Sequence, residues 1–148
     1  MSNDARVTKN IVELLEDGKK GFAHAADKLA DSNRADLAPM FREFSEQRAG
    51  FAAELTAMAA AYGDEVEEHG SVKGKIHRGW MAVKDALSGP DPDGVLDAAE
   101  QGEDHTVSEY SEALEDDVSP MLEEVLRRQM AAVQAAHDQV KALRDATD

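Results

Sequence analysis

Apolar residues recur at intervals of three and four along most of the chain, the period of a helix with one buried face. The first stripe is Val7, Ile11, Leu14, Phe22, Ala25 and Leu29, with Gly18 in its gap, which predicts a helix over about 4–30. A second stripe, Leu37, Phe41, Phe44, Arg48, Phe51, Leu55, Met58 and Tyr62, predicts a helix over about 36–62 with one charge on its inner face. Pro39 fits the first turn, where its missing N–H costs nothing; Asp36 is the expected N-cap and Gly63 the stop.

An acidic loop, Asp64 to His69, leads to a shorter helical pattern over about 71–88 with Val72, Ile76, Trp80, Val83 and Leu87 in line. The run from Gly89 to Gly94 breaks it, and a helix over about 95–115 follows with Leu96, Ala99, Glu103, Val107, Tyr110 and Leu114 on one face. Ser119 then Pro120 reads as N-cap then first helical position. The last stripe, Leu122, Leu126, Gln129, Val133, Ala136, Val140 and Leu143, predicts a helix over about 119–145. Four long helices, paired by tight links and joined by one long link that carries a short helix, define an all-α, ferritin-like four-helix bundle. A single domain over 4–146 is expected, with no strand alternation.

Composition narrows the chemistry. There are 16 Lys plus Arg against 31 Asp plus Glu, a net charge of -15, and no cysteine. Disulfides, thiolate metal sites and a cysteine nucleophile are excluded. The acidity disfavours nucleic acid and anionic lipid as partners. No run of 18 apolar residues occurs, and Asp4, Glu13, Glu16 and Asp17 interrupt the first 20 residues so that no apolar signal-peptide core is present. No membrane span or signal peptide is expected, and the cytoplasm is the expected address.

Asp17-Gly18 with Gly21-Phe22, GSVKGKIHRGWM at 70–81, EQGEDHTVSEY at 100–110, and Gln129 with His137 resemble an uncharacterised bacterial four-helix-bundle family, a domain of unknown function placed in the ferritin-like superfamily. The resemblance implies a fold and carries no activity. Di-iron proteins of this outline hold metal with a Glu from each of two helices and an ExxH pair from each of the others. Three residues before His24, His69, His77, His105 and His137 stand Gly21, Val66, Gly74, Gly102 and Gln134, so ExxH is absent. On the first helix Glu13 and Asp17 lie roughly 100° or more from the inward Gly18, so no carboxylate there is expected to face the core. The second helix turns Arg48 inward, a cation where a metal site wants an anion.

Gly18, Arg48, Glu103 and Gln129 instead fall near the middles of their helices on the inward faces. They define an expected buried polar layer, with Arg48 paired to Glu103 and with Gln129 and the Tyr110 hydroxyl taking the pair's remaining hydrogen bonds. In the alternative, Arg48 snorkels to the bundle edge and pairs with a surface acid. Should a metal bind, Glu103, Gln129, His137 and Glu54 are the candidate ligands, with iron or manganese as the cofactor. Otherwise no cofactor is expected, and His137 reads as a hydrogen-bonded boundary residue.

The segment around Trp80 carries Lys73, Lys75, His77, Arg78 and Lys84, a basic island in an acidic chain. It reads either as a docking surface for a second copy or another protein, with Trp80 as anchor, or as a helix packed on the bundle. No nucleophilic triad, phosphate loop or dinucleotide fingerprint is present. The expected function is therefore binding or self-association without catalysis. The alternatives are a non-canonical metal protein in redox or stress response, and a passive stress-related protein.

Overall fold

The computed structural model describes residues 4–61 and 92–147. Over these residues the chain is helical, with no strand: α1 (Asp4–Ala30), a short 3-10 turn (Ala35–Leu37), α2 (Ala38–Ala61), α3 (Pro92–Glu115) and α4 (Pro120–Thr147). The expected 71–88 helix, the acidic loop and the basic island of Lys73, His77, Arg78, Trp80 and Lys84 lie outside the described residues.

The helix ends follow local chemistry. Between α1 and α2 the Ser32 hydroxyl donates to the Leu29 carbonyl at 2.7 Å and accepts from the Arg34 amide at 2.9 Å, closing the turn. Asp36 does not cap α2 as its position suggests. It sits inside the 3-10 turn and its carboxylate accepts from the Arg34 guanidinium at 3.3 Å, because the extra turn moves the helix start past it. α3 begins at Pro92 rather than near 95, since proline is pre-organised for the first turn of a helix as well as being able to end one. Ser119 caps α4: its Oγ accepts from the Leu122 amide at 3.3 Å. Its own amide donates to Asp4 Oδ1 at 2.8 Å, tying the start of α1 to the start of α4.

Cross-helix bonds give the directions. Ser45 Oγ donates to the Lys19 carbonyl, and Arg42 reaches back to Asp27, so α1 and α2 are antiparallel. Tyr110–Gln129, Asp104–His137 and Asp97–Arg144 run in opposite senses along α3 and α4. Arg6 at the start of α1 meets Asp116, just beyond the end of α3. α1 is thus antiparallel to both α2 and α3. It follows that α2 and α3 run the same way, and the end of one and the start of the next lie at opposite ends of the bundle.

The four stripes meet in one core containing Leu14, Phe22, Leu29, Phe41, Leu55, Leu96, Leu122, Leu126 and Val140. Phe22, Phe41 and Phe44 pack with ring centroids 5.2–5.8 Å apart and steeply inclined planes, as aromatic quadrupoles prefer. α1 departs from the single-stripe expectation. Ile11 through Gly18 are buried without a break, including Glu13, Glu16 and Asp17 at 7%, 5% and 8% exposure. The wheel set Glu13 and Asp17 off the Gly18 seam and away from the core, yet both are buried, because a helix enclosed on several sides buries its flanks as well. Among the described residues no helix is long and apolar enough to cross a membrane.

Candidate functional site

At mid-bundle the Arg48 side chain is completely buried. Its Nη1 and Nη2 donate to Oε1 and Oε2 of Glu103 at 2.5 and 2.7 Å, the parallel fork that guanidinium and carboxylate planes allow. Nε donates to Gln47 Oε1 at 3.1 Å, and the guanidinium carbon lies 5.1 Å from the centre of the Phe22 ring. Phe22 stands one turn after the buried Gly18. Thus α1 contributes an aromatic face, α2 the cation and α3 the anion. An unpaired charge at this depth would be prohibitive; here charge, fork geometry and ring face compensate one another, and Arg48 does not snorkel.

Beside the pair, the Tyr110 hydroxyl donates to Gln129 Oε1 at 2.8 Å, and Gln129 Nε2 donates to Glu54 Oε1 at 2.9 Å and to the Phe51 carbonyl at 3.4 Å. Burial pushes the Tyr110 phenol far above its ordinary value, with the Arg48 charge opposing and the Glu103 and Glu54 charges adding to it. Tyr110 is therefore held as the neutral phenol and acts as a donor to Gln129. Glu54 is half-buried and its other oxygen accepts from Arg128. That bond outweighs the opposing effect of burial and, with the Gln129 bond, holds the Glu54 carboxyl below its ordinary value. Glu54, which the wheel set to one side of helix 2, is drawn inward by Gln129. Arg48 with Glu103, and Tyr110 with Gln129 and Glu54, thus form two separate hydrogen-bonded sets across three helices, about 10 Å apart along the axis. Gln129 and Tyr110 bond to each other and not, as expected, to the ion pair.

The four candidate metal ligands do not converge. Both oxygens of Glu103 are engaged by Arg48. Gln129 and Glu54 bond to each other. His137 stands eight residues beyond Gln129 on α4, about 12 Å along the axis. This donor set does not fit an iron or manganese centre of the carboxylate type, because each of its two carboxylates, Glu103 and Glu54, already holds a guanidinium.

His137 belongs to a second cluster. Its Nδ1 lies 3.2 Å from Asp138 Oδ1, while its Nε2 lies 2.6 Å from Asp104 Oδ1 and 3.9 Å from Glu100 Oε2. Burial alone would lower the imidazole, but the Asp138 hydrogen bond and the charges of Asp104 and Glu100 outweigh it and hold it above its ordinary value. Arg144 sits behind Glu100, on its Oε1, and also faces Asp97 and Asp145. Sequence reasoning singled out His137 but missed Glu100 and Asp104. Their signal was an i,i+4 spacing on α3, flanking the Glu103 stripe.

An open groove of about 430 Å³ separates the start of α1 from the end of α3, edged by Arg6, Asn10, Glu109, Glu112, Glu115 and Asp116. Its balance of charge is acidic.

The described molecule is thus a bundle of long helices with two polar sets locked through its middle. The family described as Domain of unknown function (DUF2383) matches residues 5–116, which include three of the four long helices among the described residues. The chain belongs to that family. The match includes Arg48, Glu100, Glu103, Asp104 and Tyr110; Gln129 and His137 lie beyond it. No curated protein matches the sequence.

Proposed function

We propose that this protein is a non-catalytic, ferritin-like helical bundle that acts by association, with a second copy of itself as the partner. The observation that carries the reading is the bidentate Arg48–Glu103 pair, which commits the mid-bundle acid to structure and leaves binding to the outer surface. The ferritin-like assignment is supported by the helix directions, with α2 and α3 running the same way, an order compatible with one long connection between two antiparallel pairs.

Charge supports the choice of partner. The groove between α1 and α3 is acidic, and the chain carries one basic segment, Lys73 to Lys84, with Trp80 as an aromatic anchor. Complementary patches of this kind steer and orient association. A cytoplasmic, stress-related role in a bacterium belongs to the same reading and rests on the resemblance.

The competing reading puts iron or manganese on Glu103, Gln129, His137 and Glu54, and requires Glu103 to release Arg48 into an uncompensated buried state. Sedimentation of the full chain over a range of concentrations, beside Trp80→Ala, tests the proposal. A mass that rises above 16.0 kDa with concentration, and rises less in the variant, is expected. A mass that stays at the monomer value throughout, or equal association in both, would overturn it. Bound iron or manganese lost on Glu103→Ala would establish the competitor.

A further inference from the structure

We infer that Glu100, Asp104 and His137 form a binding site for one divalent first-row transition-metal ion, of which zinc is the natural probe. The site goes beyond the association reading and shares no residue with the Arg48–Glu103 pair.

An ionised carboxylate only accepts, so Asp138 Oδ1, 3.2 Å from His137 Nδ1, favours the proton on Nδ1, while Gln134 Nε2, 3.4 Å from Nδ1, donates to Asp138 Oδ1 at 3.1 Å. In the neutral ring Nε2 is then a bare lone pair. It is shielded from water and has no hydrogen-bond partner of acceptable geometry. Yet it faces two further acceptors, Asp104 Oδ1 at 2.6 Å and Glu100 Oε2 at 3.9 Å. The imidazole nitrogen and two carboxylate oxygens converge on a point where a cation, a ring proton or a metal ion, offsets their charge. A second proton on Nε2 would not point along the line to Asp104, whereas a metal ion off that line meets all three.

The dimensions fit. One atom from each residue lies within 4.8 Å of the others. Ligands bound at roughly 2.0–2.2 Å around a tetrahedral ion stand about 3.4 Å apart, a spacing that the observed 2.6 and 3.9 Å bracket. Glu100 and Asp104 share a face of α3 one turn apart, and His137 reaches them from antiparallel α4. Asp138 on the far ring nitrogen is the carboxylate that commonly orients a metal-bound imidazole. Among the described residues Arg144 is the cation in contact, and it engages the other Glu100 oxygen while being shared with Asp97 and Asp145. Glu100, Asp104 and Asp138 against Arg144 leave a net charge of about −2 around the site, matched to a dication. One imidazole and two carboxylates favour zinc, cobalt, nickel or iron over calcium or magnesium.

The test is equilibrium dialysis of the chelator-treated full chain against Zn²⁺ with metal analysis, repeated with Co²⁺ and its visible absorption. One ion per chain is expected, unaffected by Glu43→Gln, an exposed acid elsewhere on α2. His137→Ala and Asp104→Asn should abolish that equivalent, and Asp138→Asn should weaken it by about tenfold to a hundredfold. Circular dichroism checks that each variant folds, and Asp104 is exposed enough for Asp104→Asn to keep the fold. Lack of stoichiometric binding in the parent, or binding undiminished in Asp104→Asn and His137→Ala, would overturn the assignment. Because the readout is metal per chain rather than mass, its failure is distinct from failure of the association reading.

Discussion

Tyr110 shows how much one hydroxyl can organise. It is the donor to Gln129 Oε1 inside the core, and Tyr110→Phe leaves that oxygen shielded and unsatisfied. A loss of about 1–3 kcal/mol in denaturant unfolding is expected. Gln129→Leu paired with Tyr110→Phe should cost less than the two single losses combined, since removing both partners of the Tyr110–Gln129 bond leaves neither of its ends orphaned. Glu54 gives a pH signature. Its carboxyl is held below 4.5 in the folded chain, so it stays ionised to lower pH folded than unfolded. Its contribution to stability is complete above about 4.5 and is lost as pH falls through the lower folded value. Glu54→Gln should therefore flatten the acid limb of stability against pH. Much of the two polar sets was legible in the chain: Arg48, Glu103, Gln129 and Tyr110 each occupy an apolar position of a stripe. The involvement of Glu54 was not, because it depends on how far α4 leans toward α2, a property of a helix pair.

The elements separate what a single helix can declare from what its neighbours decide. The stripes placed all four long helices, since a period near 3.6 needs no partner to be seen. Ser119 and Pro120 marked the start of α4 through local chemistry, and Ser119→Ala is expected to cost about 1 kcal/mol, read as a lower denaturation midpoint. Boundaries were less legible. Pro92 can end a helix or begin one, and Asp36 was displaced by a turn of 3-10 helix. Burial of Glu13, Glu16 and Asp17 was illegible for a deeper reason: a wheel reports the angle of a side chain, while the number of neighbours closing around α1 is a tertiary fact. Glu100 and Asp104 illustrate the same limit, since their meeting with His137 depends on the register between α3 and α4.

For the whole molecule, a net charge of -15 says most about solvation and little about ligands. The acids that carry information are those the fold collects: Glu103 against Arg48, Glu54 against Gln129 and Arg128, and Glu100 with Asp104 against His137. The helix directions bring a mid-bundle level of α2, α3 and α4 together where carboxylate proteins of this outline hold metal, and here a guanidinium supplies the positive charge. A buried pair is weak evidence for net stability, because desolvation offsets attraction, but breaking one partner exposes the full penalty. The central claim is that Arg48 and Glu103 act as one structural unit, and a double-mutant cycle under denaturant tests it most directly. Arg48→Met and Glu103→Leu are each expected to cost about 3–5 kcal/mol, with the double variant losing less than either alone. Small, additive losses would contradict the account.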